Sequence, residues 1–414
     1  MGMKKIHRLS NLGLNILIFL GMHVNLSAAM VWIDAGAKGL GDGSESAPFS
    51  TLETALKNTG GGNTFIFKSG NYPNPNLVID RKYSGTQLSP TIIMSQYKYQ
   101  AVLHGSITHN IHIKEGCKWV VINGFEISGA KKAGILIHGA YITVSNCYIH
   151  NNEVEGIGAH TPYNIVIENN LIEYNGRHPQ FDHGIYVGGH NYLMRNNIIR
   201  FNAGWGIHCY PEISNSLIEN NLVYRNNRGG IILVSKPMVG SNKIVNNTVA
   251  RNGDGISVGN AYNDTIVNNI VTNNFIFTPG KSQTIHGWPD SQRENFKKKS
   301  ENVIVDYNLC YPSCDVAGAH GFSANPLFLD EMKGAYFLKS GSPAIGKGLR
   351  KYTSSNDFFN NPRPDSLNID IGCFPYKYTE MYEKMRIKLY CDWPYFGRGN
   401  TYFNKQPDIW SLTK

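Results

Sequence analysis

The sequence predicts an all-β chain, a right-handed parallel β-helix (solenoid) with an N-terminal cap helix and an irregular C-terminal segment. Three observations carry this. An Asn recurs just ahead of a short apolar run at Asn123, Asn146, Asn169, Asn196, Asn220, Asn246 and Asn268, spaced by 22 to 27 residues. A second Asn follows most of them six residues on, at Asn152, Asn175, Asn202, Asn226, Asn252 and Asn274. Each unit then enters a Gly-Ile strand, at Gly134, Gly156, Gly184, Gly206, Gly230 and Gly255. A repeat of this length with period-two strands and Asn and Gly at the corners fits coils of three short strands. One coil cannot bury its apolar face alone; stacking builds a continuous core and pairs every backbone group with the coils on either side. Asn suits the corners because it tolerates the left-handed backbone and its amide can hydrogen-bond along the stack. Leucine-rich repeats share the period but need a Leu-dominated consensus and a helical segment, which are absent here.

The chain ends are read separately. Residues 1–29 form a signal peptide: Lys4, Lys5 and Arg8 precede an apolar stretch from Leu12 to Gly21, too short to span a bilayer, and Ser27 and Ala29 supply the small residues of a cleavage site. The product is expected to be exported, extracellular or periplasmic, with no membrane span. Residues 30–110 read as N-terminal cap and first coils. There Ser50 is expected to cap a helix over 51–58 whose Leu52, Ala55 and Leu56 cover the open end of the core. Residues 111–345 read as the body, with a loop insertion at 275–302, and 346–414 as a C-terminal cap and aromatic-rich tail packing against the last coil.

Composition sets further limits. The formal charge of +9 becomes 9 − 3 = +6 once the three leader cations are removed. The basic residues are scattered, apart from Lys297, Lys298 and Lys299, which compose a solvated loop. This argues against nucleic acid as a partner and is compatible with an acidic polymer. Seven Cys in an exported chain permit disulfides and leave an odd one; Cys310 and Cys314 are near enough to pair locally, whereas Cys117 and Cys147 read as small core residues. No HExxH, CxxC pair, GxGxxG or phosphate-loop motif occurs, so no metal site is assigned and a calcium requirement stays open. A monomer is expected.

Aligning the coils on Gly-Ile locates the candidate site. Two residues after each Gly stand Leu136, Gly158, Tyr186, His208, Ile232 and Ser257; four after stand His138, His160, Gly188, Tyr210 and Val234; just before stand Ala133, Glu155, His183, Trp205, Gly229 and Asp254. Polar and aromatic groups concentrate in the middle coils, and the coil from Asn169 carries the extra residues RHPQFDHG. The catalytic candidates are Arg177, Asp182, His183, Tyr186 and His208; the substrate-binding candidates are Glu155, His160, Trp205 and Tyr210.

The chain resembles the pectate-lyase-like superfamily of bacterial right-handed β-helix proteins. GLGDGSESAPFSTLETAL with FIFKSGNY is similar to their N-terminal cap, SGTQLSPTIIM and AVLHGS to their first coils, and NPLFLDEMKGAYFLKSGSPAIGKG with NPRPDSLNIDIG to their closing segment. The resemblance implies the fold and a polysaccharide partner, not one activity, since this fold hosts lyases, hydrolases, epimerases and binding proteins. The Asp cluster and Lys base of family 9 pectate lyases are not recognisable, nor are the NTD, DD, GHG and RIK signatures of galacturonan hydrolases; HPQFDHG only loosely echoes the DPHD of alginate epimerases.

The leading expectation is β-elimination on a uronate-containing polysaccharide, with Arg177 neutralising the carboxylate, His183 or His208 as base, Tyr186 as acid and Asp182 orienting His183. The alternatives are glycoside hydrolysis by Asp182 and Glu155, a uronan epimerase, or a non-catalytic carbohydrate-binding surface protein in which Trp205, Tyr186 and Tyr210 stack on sugars.

Overall fold

A computed structural model of the chain describes residues 28–379, except 236–238, 275–284, 288–300, 314–315, 317, 354 and 378. Residues 1–27 of the expected signal peptide, most of the expected 275–302 loop, Cys314 and the tail beyond residue 379 therefore lie outside the described residues. Among those described, no helix is long and apolar enough to cross a membrane.

The repeats fold as coils of three strands. Two strands of each coil, such as Ile135–Ile137 and Ala140–Ser145, enter one long parallel sheet, and the third, such as Tyr148–His150, enters a second. The register is that of the Gly-Ile alignment: Ile135 pairs Ile157, Ile157 pairs Ile185, Ile185 pairs Ile207, Ile207 pairs Ile231 and Ile231 pairs Ile256. These isoleucines, with Val187, Met194, Ile199, Ile218 and Val223, form one buried core along the axis.

The Asn residues divide their work in a way the sequence reading did not separate. From Asn146 to Asn268 the first Asn of each repeat takes the left-handed conformation, with φ of 54° at Asn146, 55° at Asn196 and 53° at Asn220. The stacked amides belong instead to the residue after it. Asn170, Asn197, Asn221, Asn247, Asn269 and Asn308 form a buried ladder in which each Nδ2 donates to the next Oδ1 at 3.0 Å. A second ladder runs through Asn152, Asn175, Asn202, Asn226, Asn252 and Asn274 at 2.9–3.1 Å. The second is possible because the preceding glycines have no side chain: a Cβ on Gly184 would lie 2.8 Å from Asn202 Nδ2, and one on Gly206 2.9 Å from Asn226 Nδ2.

The N-terminal end is closed by helix Leu52–Thr59, whose Leu52, Ala55 and Leu56 are buried in the core. Its cap is Thr51, which accepts from the Thr54 N–H at 3.1 Å, and not Ser50; the helix starts one residue later than expected because the Thr hydroxyl reaches the third amide ahead of it. The C-terminal segment runs back along the outer face of the second sheet, where Phe328, Tyr336, Phe337, Phe358 and Phe374 pack on Leu222, Tyr224, Ala250, Ile270 and Leu309 from several coils. Asn220, Asn246 and Asn268 tie to it through Arg363, Gly372 and Leu349. The outer face of that sheet carries apolar side chains at these coils, and the segment covers them. Cys310 is disulfide-bonded, and Cys117, Cys147, Cys209 and Cys373 are free and buried.

Candidate functional site

The outward positions of the first strands make one column: Leu136, Gly158, Tyr186, His208 and Ile232 are consecutive rungs in register. Over its middle lies a cleft of about 230 Å³ lined by Gln180, Phe181, His183, Tyr186, Trp205, His208, Tyr210, Arg228, Ile232 and Val234.

Two histidines form its centre. His183 Nε2 and His208 Nδ1 are 2.6 Å apart, and His183 Nδ1 accepts the Trp205 backbone N–H at 3.0 Å. These contacts fix the protons. A neutral His183 that accepts at Nδ1 carries its hydrogen on Nε2 and donates it to His208 Nδ1, so a neutral His208 holds its own hydrogen on Nε2. Both rings are neutral: burial first, then the charge His208 would carry if protonated and that of Arg228, pushes His183 down to about 2, and burial followed by Arg228 pushes His208 down to about 3. Gly204 makes the contact with Trp205 possible, since a Cβ there would lie 2.3 Å from His183 Nδ1.

Tyr186 stands against this pair. Its ring stacks on His208 at 4.9 Å, meets His183 edge-on at 5.3 Å, and meets His160 of the preceding coil edge-on at 4.6 Å. Burial raises its hydroxyl above the ordinary tyrosine value, which keeps it protonated and able to donate. His160 is likewise held neutral, chiefly by burial. Ile232 and Val234 form an apolar wall with Trp205, and Tyr210 packs on it. Trp205 is only 2% exposed and lies over Gly229, where a Cβ would come within 2.2 Å of its ring; it is a wall of the cleft and offers no open face to a sugar.

Two of the expected roles are corrected by the geometry. Asp182 does not orient His183. Its Oδ2 accepts from the backbone N–H of Arg177 and His178 at 2.7 and 2.6 Å, so it pins the inserted loop, and the Trp205 amide orients His183 instead. Arg177 does not enter the cleft; its guanidinium pairs with Glu153, which Lys131 also meets, on a side chain 62% exposed. The cation in the cleft is Arg228, a partly buried residue the sequence reading missed. It stands two positions before Gly230 in the Gly-Ile alignment, one column beyond those that were compared. Phe181 was also missed: the pinned loop holds it 65% exposed at the rim, where its face is open to a ligand. Among the described residues, no group of three or more His, Cys, Asp or Glu side chains is placed to hold a metal.

Residues 100–238 and 180–288 match the family described as right handed beta helix region. Among solved structures, the chain superposes on the pectate lyase Pel9A with a TM-score of 0.54 at 15% identity, covering 84% of this chain and 97% of that one. A glycoside hydrolase gives 0.56 at 11% identity over 68% and 93%, and the mannuronan C-5 epimerase AlgE4 A-module from Azotobacter vinelandii gives 0.50 at 16% over 74% and 93%. Identities this low establish a shared fold. No curated protein sequence matches the chain.

Proposed function

We propose, for a chain that is a right-handed parallel β-helix of the pectate-lyase-like kind, that it is an exported lyase cleaving a uronate-containing polysaccharide by β-elimination. The observation that carries this reading is the convergence of Arg228, the His208 Nε2–H and the Tyr186 hydroxyl on one cleft over the middle coils. Elimination needs the uronate carboxylate neutralised, so that charge developing at C5 spreads onto it, and a proton delivered to the departing oxygen. Arg228 supplies the fixed charge and His208 a neutral donor preset by the His183 relay. Tyr186, one rung away, supplies the proton. The aromatic rim of Phe181 and Tyr210 gives a sugar ring apolar faces to lie on.

The proton arrangement also narrows the roles. His183 is 1% exposed and has both ring nitrogens engaged, and His208 presents a hydrogen where a base would present a lone pair. Both are donors or supports and neither is the base. Hydrolysis by Asp182 and Glu155 is the weaker reading, because the Asp182 carboxylate is committed to the loop amides.

Incubation with alginate, pectate and glycosaminoglycans, following both ultraviolet absorbance and reducing ends, tests this. A rise in both on at least one polymer is expected, lost in Tyr186→Phe and His208→Ala. Reducing ends without absorbance would make the chain a hydrolase, and silence on all of them ends the lyase reading.

A further inference from the structure

The column of outward residues has one gap. Gly158, between Leu136 and Tyr186, has no side chain, and its φ does not demand glycine. A Cβ there would sit 3.4 Å from Leu136 Cδ1, 3.6 Å from His160 Nε2 and 3.9 Å from Glu155 Oε2, all ordinary contacts. The glycine is itself buried, and the Glu155 carboxylate and the His160 ring converge over it, beside the Tyr186 rung.

Glu155 is also unlike its neighbours. Glu126, Glu153, Glu168 and Glu173 are tied to His150, Lys131 and Arg177, Arg195, and Arg200 respectively. Glu155 accepts from its own backbone N–H and, among the described residues, from no side chain. Around it stand His160 on its own coil, held neutral chiefly by burial, Tyr186 on the next coil, held protonated by burial, and the Asp182 carboxylate. Burial, with a push from Asp182, raises its carboxyl to about 6, which leaves it ionised and comparatively basic at neutral pH.

We propose that Glu155 is the catalytic base, acting from its place over Gly158, beside the Tyr186 rung, on the uronate held at Arg228 and His208. This rests on the elimination reading above. Glu155 takes the C5 proton; the C5–H electron pair becomes the C4–C5 double bond, the C4–O4 bond breaks, and O4 takes the Tyr186 proton. Glu155 then loses its proton to solvent and Tyr186 regains one. Gly158 and His208 are two rungs apart, roughly 10 Å by strand spacing, and side chains reaching in from both ends narrow this to a gap a single sugar ring can bridge.

The test compares Glu155→Gln, Glu155→Asp and Gly158→Leu with the unaltered protein on the polymer it cleaves, alongside calorimetric binding of the corresponding tetrasaccharide. Glu155→Gln should lower kcat by about 10²–10⁴ while leaving the tetrasaccharide Kd within a few-fold. Glu155→Asp should retain partial turnover and move the acidic limb of the kcat profile, which starts near pH 6 in the unaltered protein. Gly158→Leu, whose side chain would displace the Glu155 carboxylate beside it, should lose turnover. If Glu155→Gln or Gly158→Leu still eliminates at the normal rate, Glu155 is not the base although the lyase reading stands. If the unaltered protein yields reducing ends without absorbance, or acts on no uronan, both readings fall.

Discussion

Replacing Asn221 by Ala removes one rung from the inner amide ladder, and the structure shows what is lost. The Asn221 side chain is fully buried. Its Oδ1 accepts from the Asn197 backbone N–H at 3.1 Å and from Asn197 Nδ2 at 3.0 Å; its Nδ2 donates to the Met194 carbonyl at 2.9 Å and to Asn247 Oδ1 at 3.0 Å. Two of the four partners keep a bond in the variant, because Asn197 Nδ2 still meets the Ile167 carbonyl and Asn247 Oδ1 still meets the Asn221 N–H. The Asn197 N–H and the Met194 carbonyl lose theirs. At about 1–3 kcal/mol for each buried group deprived of its partner, and with the carbonyl at the low end, the loss is roughly 2–4 kcal/mol. Asn196→Gly is the control. Asn196 is left-handed and its buried Oδ1 has no partner, so glycine there keeps the backbone and removes no hydrogen bond. Urea unfolding should show a lower midpoint for Asn221→Ala at constant slope and little change for Asn196→Gly. Equal destabilisation by the two would refute the division of labour between neighbouring asparagines.

Two further outcomes follow from the site. Arg228→Ala should weaken binding of acidic oligosaccharides at least tenfold, whereas Arg177→Ala, which breaks an exposed ion pair worth at most about 1 kcal/mol, should leave binding and melting temperature nearly unchanged; calorimetry on both variants checks this. His183 and His208 bind protons less readily folded than unfolded, so their contribution to stability is complete above pH 6.5 and declines as pH falls toward 3. Melting temperatures measured from pH 7.5 to 4.5 should drop toward acid, and less steeply in a His183→Gln, His208→Gln protein.

Most of the fold was legible because a coil states itself repeatedly. The Gly-Ile spacing placed Tyr186 and His208 on adjacent rungs before any coordinates, and the backbone register follows it. The left-handed corner asparagines were legible too. That the amide ladder belongs to the next residue was not, because adjacent asparagines look equivalent until backbone direction separates the one facing out from the one facing in. Arg177 and Asp182 were drawn to the site by their place in the inserted RHPQFDHG; the loop turns one of them outward to Glu153 and spends the other on its own amides. Arg228 stood in plain sight but one column away. Its signal was the Gly-Ile alignment read one position further upstream, where Gly204 and Arg228 follow Asp182. The pairing of His183 with the Trp205 amide depends on the absent side chain of Gly204, and no spacing rule announces it.

From Gly134 to Gly230, the glycine that opens each Gly-Ile strand is held to its identity by an asparagine of the same coil: Gly134 by Asn152, Gly156 by Asn175, Gly184 by Asn202, Gly206 by Asn226 and Gly230 by Asn252. Any larger residue at the first would expel the second, and the vacancy would spread to the coils above and below through the ladder. Neither partner can drift alone. The coil is thus a matched unit, in which a change at the glycine calls for a matching change at the asparagine that lies against it.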